Sequence, residues 1–143
     1  MNIKIQVTNK AIAPSYAQAG DAGADIFANE SVEIRAGERK LVMTGIKIAI
    51  PDGYVGLIHP RSGLALKQGL TVLNAPGTID SGYRGEIGVI LYNSQVRSTI
   101  LIKAGDRIAQ LVIQKVERAE FEVVDALDDT DRGEGGFGST GVN

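Results

Sequence analysis

A chain of 143 residues has the size of one domain and is long enough to bury a proper hydrophobic core. With 43% hydrophobic and 22% charged residues it has an ordinary globular composition, and a formal charge of −2 gives no whole-chain attraction to nucleic acid or to an anionic membrane. Any grip on a phosphate must therefore come from local groups, and the absence of cysteine excludes disulfides and thiolate metal sites.

The opening residues Met1 to Val7 alternate, with Ile3, Ile5 and Val7 on one face of an expected strand. They lack the apolar run of a secretory signal, and no stretch is long enough to span a bilayer, so a cytoplasmic location is expected. A small-residue loop, Gly20-Asp21-Ala22-Gly23-Ala24-Asp25-Ile26, offers two carboxylates four residues apart. Asp25 suits a Mg²⁺ ion approached through water, and equally an Asx-type turn. Turn signals at Ala36-Gly37-Glu38 and Pro51-Asp52-Gly53 bracket the alternating Ile46, Ile48 and Ile50.

A short helix is predicted over Gly63 to Gln68, with Ser62 as its cap and Gly69 as its left-handed stop. Its start follows His59-Pro60-Arg61, so helix amides together with Arg61 and Ser62 could hold an anion; a plain capped helix fits the same residues. His59 is the only histidine and makes a poor metal site alone. Pro76-Gly77 and Ser81-Gly82 frame a predicted hairpin that carries Asp80 and Tyr83 near its tip. There Asp80 could activate a water and Tyr83 could pack on a sugar, although both residues also suit an ordinary turn.

Ile87, Val89 and Leu91 predict another strand, and Gly105-Asp106-Arg107-Ile108-Ala109-Gln110-Leu111 opens one after a turn, with a salt bridge among its polar members. Phe121 and Val123 alternate in the same way. Asp125 through Asp131 then holds four aspartates in seven residues and reads as a solvated connector. The end, Arg132-Gly133-Glu134-Gly135-Gly136-Phe137-Gly138-Ser139-Thr140-Gly141-Val142-Asn143, has Walker-type glycine spacing, but Ser139 stands where lysine is needed. Its glycines can form an anion-binding nest, Arg132 can grip phosphate and Phe137 can stack on a base. A flexible terminus would have the same composition.

Many short alternating strands without helical crossovers predict an all-β, antiparallel β-sandwich with one short helix. The expected organisation is a core over residues 1–124 and a connector with a glycine-rich C-terminal lid over 125–143, within a single domain.

Taken together and in order, these segments closely resemble the homotrimeric dUTP pyrophosphatase (dUTPase) family. Its five motifs match Ala22 to Ile26, Pro60 to Ala65, Gly77 to Glu86, Gly105 to Leu111 and Arg132 to Gly141. Ala24 replaces a larger residue common before the first aspartate, and Gly82 sits where Asp is frequent; neither change removes a functional group.

The resemblance implies a jelly-roll-like fold and Mg²⁺-assisted hydrolysis of dUTP to dUMP and pyrophosphate by water attack on the α-phosphorus. This would limit uracil in DNA and supply dUMP for dTTP synthesis. Asp80 would hold and activate the water, and Asp25 would reach Mg²⁺ through water. Arg61, Ser62, Gly63 and Gln110 would hold the phosphates. Asn74 with the backbone of Gly77, Thr78 and Ile79 would read uracil, and Tyr83 would exclude a 2′-hydroxyl. Arg132, Gly138, Ser139 and Thr140 would bind the terminal phosphate while Phe137 covers the uracil ring. Each site would draw on three chains of a homotrimer. The dCTP deaminases, on a related fold, lack the Tyr83 segment and the Gly-Phe-Gly tail.

Overall fold

The structure, a computed structural model, describes residues 1–8 and 10–136. Its strands are β1 (Lys4–Val7), β2 (Ala24–Phe27), β3 (Val32–Ile34), β4 (Arg39–Ala49) and β5 (Tyr54–His59), then, after helix α1 (Ser62–Gln68), β6 (Leu70–Val72), β7 (Gly77–Ile79), β8 (Glu86–Asn93), β9 (Ile100–Ile102) and β10 (Arg107–Lys115). One antiparallel sheet has the order β1-β4-β8-β6, a second β2-β10-β5-β7, and β3 pairs with β9. This is the expected all-β architecture. Among the described residues no helix is long and apolar enough to cross a membrane.

The alternation predicted from sequence is visible in β8, where Ile87, Val89 and Leu91 are buried and the residues between them are not. They meet Val42, Ile46 and Ile48 of the same sheet and Ile26, Ile58, Ile79 and Leu111 of the other in one shared core, which makes the fold a sandwich. The sheets approach closely at Gly56. A Cβ there would lie 2.7 Å from Ile50 Cδ1 and 3.2 Å from Leu111 Cδ1, so only glycine fits without displacing core side chains.

Strand β4 bulges between Met43 and Lys47 where it pairs with β8. Gly45 takes φ +70 in the bulge, a conformation that disfavours side chains. Three bonds pin it: Thr44 Oγ1 donates to the Ile87 carbonyl at 2.7 Å, the Gly45 N–H donates to Glu86 Oε1 at 2.7 Å, and the Gly45 carbonyl accepts from Thr8 N–H at 2.9 Å.

Three local expectations are corrected. Ser62 is the first helical residue and does not cap the helix. Arg61 occupies the N-cap with extended backbone and no side-chain cap bond, its carbonyl accepting from the N–H groups of Leu64 and Ala65. Gly69 does close the helix in the left-handed conformation. The segment carrying Asp80 and Tyr83 is not the tip of a hairpin, because β7 pairs with β5 in one sheet while β8 pairs with β4 and β6 in the other. Residues 80–85 therefore form a corner between sheets. Phe121 and Val123 lie in no strand and are 93% and 98% exposed, since the segment after Lys115 meets no sheet edge in its own chain. Alternation makes a segment able to pair but supplies no partner.

Candidate active site

One group of polar residues gathers where β2, β10 and β5 run side by side. Gln110 of β10 stands opposite Asp25 of β2 on one side and His59 of β5 on the other. Strand β2 is buried along its whole length, so the Asp25 carboxylate is almost wholly out of water, its side chain 5% exposed. Two guanidiniums compensate it: Arg61 Nε lies 3.2 Å from Oδ1 and Arg107 Nε 3.2 Å from Oδ2. Oδ1 accepts no well-aligned hydrogen bond, so Arg61 acts on it by charge more than by directed bonding. The three groups carry a net charge of about +1, with the carboxylate buried and the two guanidiniums partly open to solvent, a setting that favours an anion.

Arg61 reaches this position because β5 ends at His59 and the chain turns into α1. Arg61, Ser62, Gly63, Lys67 and Gln110 line one open cavity of about 250 Å³. The first turn leaves the amides of Ser62 and Gly63 without intrahelical acceptors. A Cβ on Gly63 would meet nothing, while one on Gly23 would come 3.1 Å from Gln110 Cβ; glycine at 23 gives Gln110 room. Arg107, 53% exposed and 6.0 Å above the Phe27 ring, joins Arg61 in lining an adjoining cavity of about 480 Å³. The salt bridge expected among the polar members of Gly105 to Leu111 does not form: Arg107 pairs with Asp25 of β2, and Asp106 accepts from the Lys103 N–H at 2.8 Å. The sequence placed Arg107 in its strand but not beside Asp25 and Arg61, because that partner lies far away along the chain.

The second group sits on the corner after β7. Asp80 is exposed, and Tyr83 N–H donates to the Asp80 carbonyl at 3.1 Å, closing a turn. Asp80, Thr78, Tyr83 and Glu86 line a cavity of about 190 Å³. Tyr83 is 45% exposed, and its hydroxyl donates to the Glu86 carbonyl at 2.9 Å. The ring lies over Gly85, where a Cβ would fall 2.3 Å from the tyrosine oxygen. Strand β7 ends its sheet, so among the described residues one edge of Gly77, Thr78 and Ile79 has no strand neighbour, and exposed Asn74 carries its amide nitrogen close to Gly77.

The two groups are not neighbours within one chain. Gln110 stands opposite His59, whereas Ile79, the residue before Asp80, stands opposite Gly56. Three residues along β5 amount to about 10 Å, and β10 and β7 lie two strand spacings, about 10 Å, apart. Arg132 is elsewhere again: its Nε donates to the Gly135 carbonyl at 3.0 Å within a turn of the exposed tail. Phe137, Gly138, Ser139 and Thr140 lie outside the described residues.

Among the described residues nothing is arranged to ligate Mg²⁺ directly. The described residues hold no cluster of three acidic or histidine ligands, and Asp25 is already balanced by two cations. Its unbonded Oδ1 suits a water on an ion carried by a polyanion, not direct ligation.

The family model for dUTPase matches residues 9–141. The deoxyuridine 5′-triphosphate nucleotidohydrolase of Thermobifida fusca is 62% identical over 128 residues, covering 90% of this chain and 72% of that protein. The protein of the same name from Cutibacterium acnes is 57% identical over 130 residues, covering 91% and 86%. Among solved structures, a Staphylococcus bacteriophage 80alpha dUTPase variant with dUpNHpp superposes with a TM-score of 0.91 at 31% identity, over 99% of both chains. A phage phi11 dUTPase variant, described with a structural Mg(II) ion, superposes with a TM-score of 0.82 at 29% identity, over 88% of this chain and 98% of that one. On the extent of the family match and the identity of these relatives, the chain belongs to the dUTPase family.

Proposed function

We propose that the protein is a dUTP diphosphatase whose active site is assembled from two half-sites on different chains of a homotrimer. The observation that carries this reading is the separation of the Asp80–Tyr83 corner from the Arg61–Ser62–Gln110 cavity. Both have to touch one nucleotide at its α-phosphorus, and one chain holds them too far apart. The exposed Phe121, Val123 and Leu127 beyond β10 support an assembly in which that segment finds its cover on another subunit.

The free edge of β7 can pair with uracil, which presents acceptor, donor and acceptor in a row, and the Asn74 amide adds to it. Cytosine reverses part of that pattern and would leave buried groups unpaired, and close contact at C5 would exclude thymine. Tyr83 packs on the deoxyribose where a 2′-hydroxyl would sit. Arg61, Ser62, Gly63 and Gln110 of a neighbouring chain hold the phosphates, and the Asp25 carboxylate keeps Arg61 in place.

Asp80 accepts a proton from a water aimed at the α-phosphorus. The water oxygen bonds to that phosphorus, the bond to the α–β bridging oxygen breaks, and the electron pair leaves with pyrophosphate. Mg²⁺, carried by the phosphates and contacted by Asp25 through water, would neutralise charge that develops on the leaving group. Arg132, Gly138, Ser139 and Thr140 close over the terminal phosphate and Phe137 over the base, from a third chain. Limiting uracil in DNA and supplying dUMP for dTTP synthesis in the cytosol would follow from this activity.

The test compares pyrophosphate release from dUTP, dTTP, dCTP and UTP, with and without Mg²⁺. Release from dUTP alone, stimulated by Mg²⁺, is expected. Ammonium release from dCTP, or equal turnover of all four, would overturn the reading.

A further inference from the structure

Tyr83 does not fix its own position. Its backbone lies in an exposed corner, and a tyrosine ring there is free to swing about χ1 unless something seats it. Two features of the next residues supply the seat. Gly85 offers no side chain, and the ring occupies the space a Cβ would need: that atom would lie 2.3 Å from the Tyr83 oxygen, 2.5 Å from Cζ and 2.8 Å from Cε2. Gly85 is not among the positive-φ glycines, so its backbone does not itself require glycine. What a side chain at 85 would meet is the ring.

Glu86 supplies the second feature. Its carbonyl accepts the Tyr83 hydroxyl at 2.9 Å, and its carboxylate accepts the Gly45 N–H at 2.7 Å. Glu86 therefore ties the tyrosine to the β4 bulge, itself held by the Thr44 hydroxyl and by Thr8. The corner is exposed but the bulge is buried, so the rigid sheet sets the height of the ring above the Asp80 cavity.

We propose that Gly85 and Glu86 are the specificity-determining seat of Tyr83: Gly85 by the space it leaves, Glu86 by joining the ring to the Gly45 bulge. This rests on the reading of Tyr83 as the group that rejects a 2′-hydroxyl. Discrimination at the sugar then depends on the two residues that hold the ring as well as on the ring itself.

The experiment measures kcat/KM for dUTP and UTP, with thermal unfolding, in Gly85→Ala, Glu86→Ala, Glu86→Gln and Tyr83→Ala. Adding the Gly85 methyl should push the ring aside while leaving the backbone and the melting temperature close to wild type, because the colliding atoms are the movable end of a side chain. The dUTP/UTP preference should fall at least about tenfold, chiefly through a lower KM for UTP. Glu86→Ala should lower both the preference and the melting temperature. Glu86→Gln, which retains an acceptor for Gly45 N–H, should restore the preference.

If Tyr83→Ala lowers the preference and Gly85→Ala does not, the seat is refuted while the role of Tyr83 stands. If Tyr83→Ala leaves the preference intact, both fall. A loss of melting temperature in Glu86→Ala at unchanged preference would make Glu86 structural only and remove it from the seat.

Discussion

Replacing Asp25 by Asn removes one negative charge and keeps the side-chain shape, so the consequences are those of the charge. In the native arrangement two guanidiniums lie 3.2 Å from a carboxylate whose side chain is 5% exposed. At an effective dielectric constant of about 20 each contact is worth roughly 5 kcal/mol of Coulomb attraction, most of it offset by the desolvation of the carboxylate. Taking one partner from a fully buried pair destabilises by about 3–5 kcal/mol, but the arginines here are 31% and 53% exposed and water would rescue part of the loss. A net destabilisation of about 2–3 kcal/mol follows, visible in thermal or denaturant unfolding. Arg61 would lose its orientation as well, and kcat/KM for dUTP should fall about 10- to 100-fold, since small displacements of a positioning group carry penalties of that size. Assays across a Mg²⁺ titration separate the two roles proposed for Asp25. If it positions Arg61, the loss persists at saturating Mg²⁺ and shows mainly in KM. An Asp25→Asn protein of unchanged stability, fully recovered by excess Mg²⁺, would refute the arginine-holding role.

Asp80→Asn should lower kcat by about 10²–10⁴-fold while leaving the affinity for a non-hydrolysable dUTP analogue near normal; turnover close to wild type would remove Asp80 as the water activator. Deleting residues 132–143 should leave the described sandwich folded, because among the described residues its core draws on nothing beyond Ile113, and should severely reduce turnover. Full activity in the truncated protein would end the lid proposal.

The fold was legible because β8 and the later part of β4 advertise their buried faces, with Ile87, Val89 and Leu91 against Ile46 and Ile48. Which strand pairs with which was not. The Pro-Gly and Ser-Gly signals around Asp80 mark turns correctly, but a turn signal does not say whether the chain returns beside the strand it left or crosses to the other sheet, and here it crosses. Phe121 and Val123 carry the same alternation as real strands and lack an edge within their own chain.

The candidate site divides in the same way. Asp80, Tyr83, Arg61 and Gln110 were recognisable as residue types in an order; Arg61 does precede the expected helix and Gln110 does lie on the expected strand, but Asp80 and Tyr83 lie on a corner between sheets and not at the expected hairpin tip. The pairing of Asp25 with both Arg61 and Arg107 depends on register between β2 and β10 and on the bend after β5, neither of which has a local signature. The separation of the Asp80 corner from the Arg61–Gln110 cavity is likewise a property of register, visible only in the pairing of Gln110 with His59 and of Ile79 with Gly56.

Subunit mixing tests that shared site most directly. Asp80→Asn and Arg61→Ala proteins, each inactive alone, would be unfolded together, reassembled in equal amounts and assayed for pyrophosphate release from dUTP. If Asp80 and Arg61 of one site come from different chains, random reassembly leaves half the sites with an intact Asp80 and half of those with an intact Arg61, so about a quarter of wild-type activity should return. Activity no greater than that of the separate variants would mean that each chain carries its own complete site, and would contradict the account.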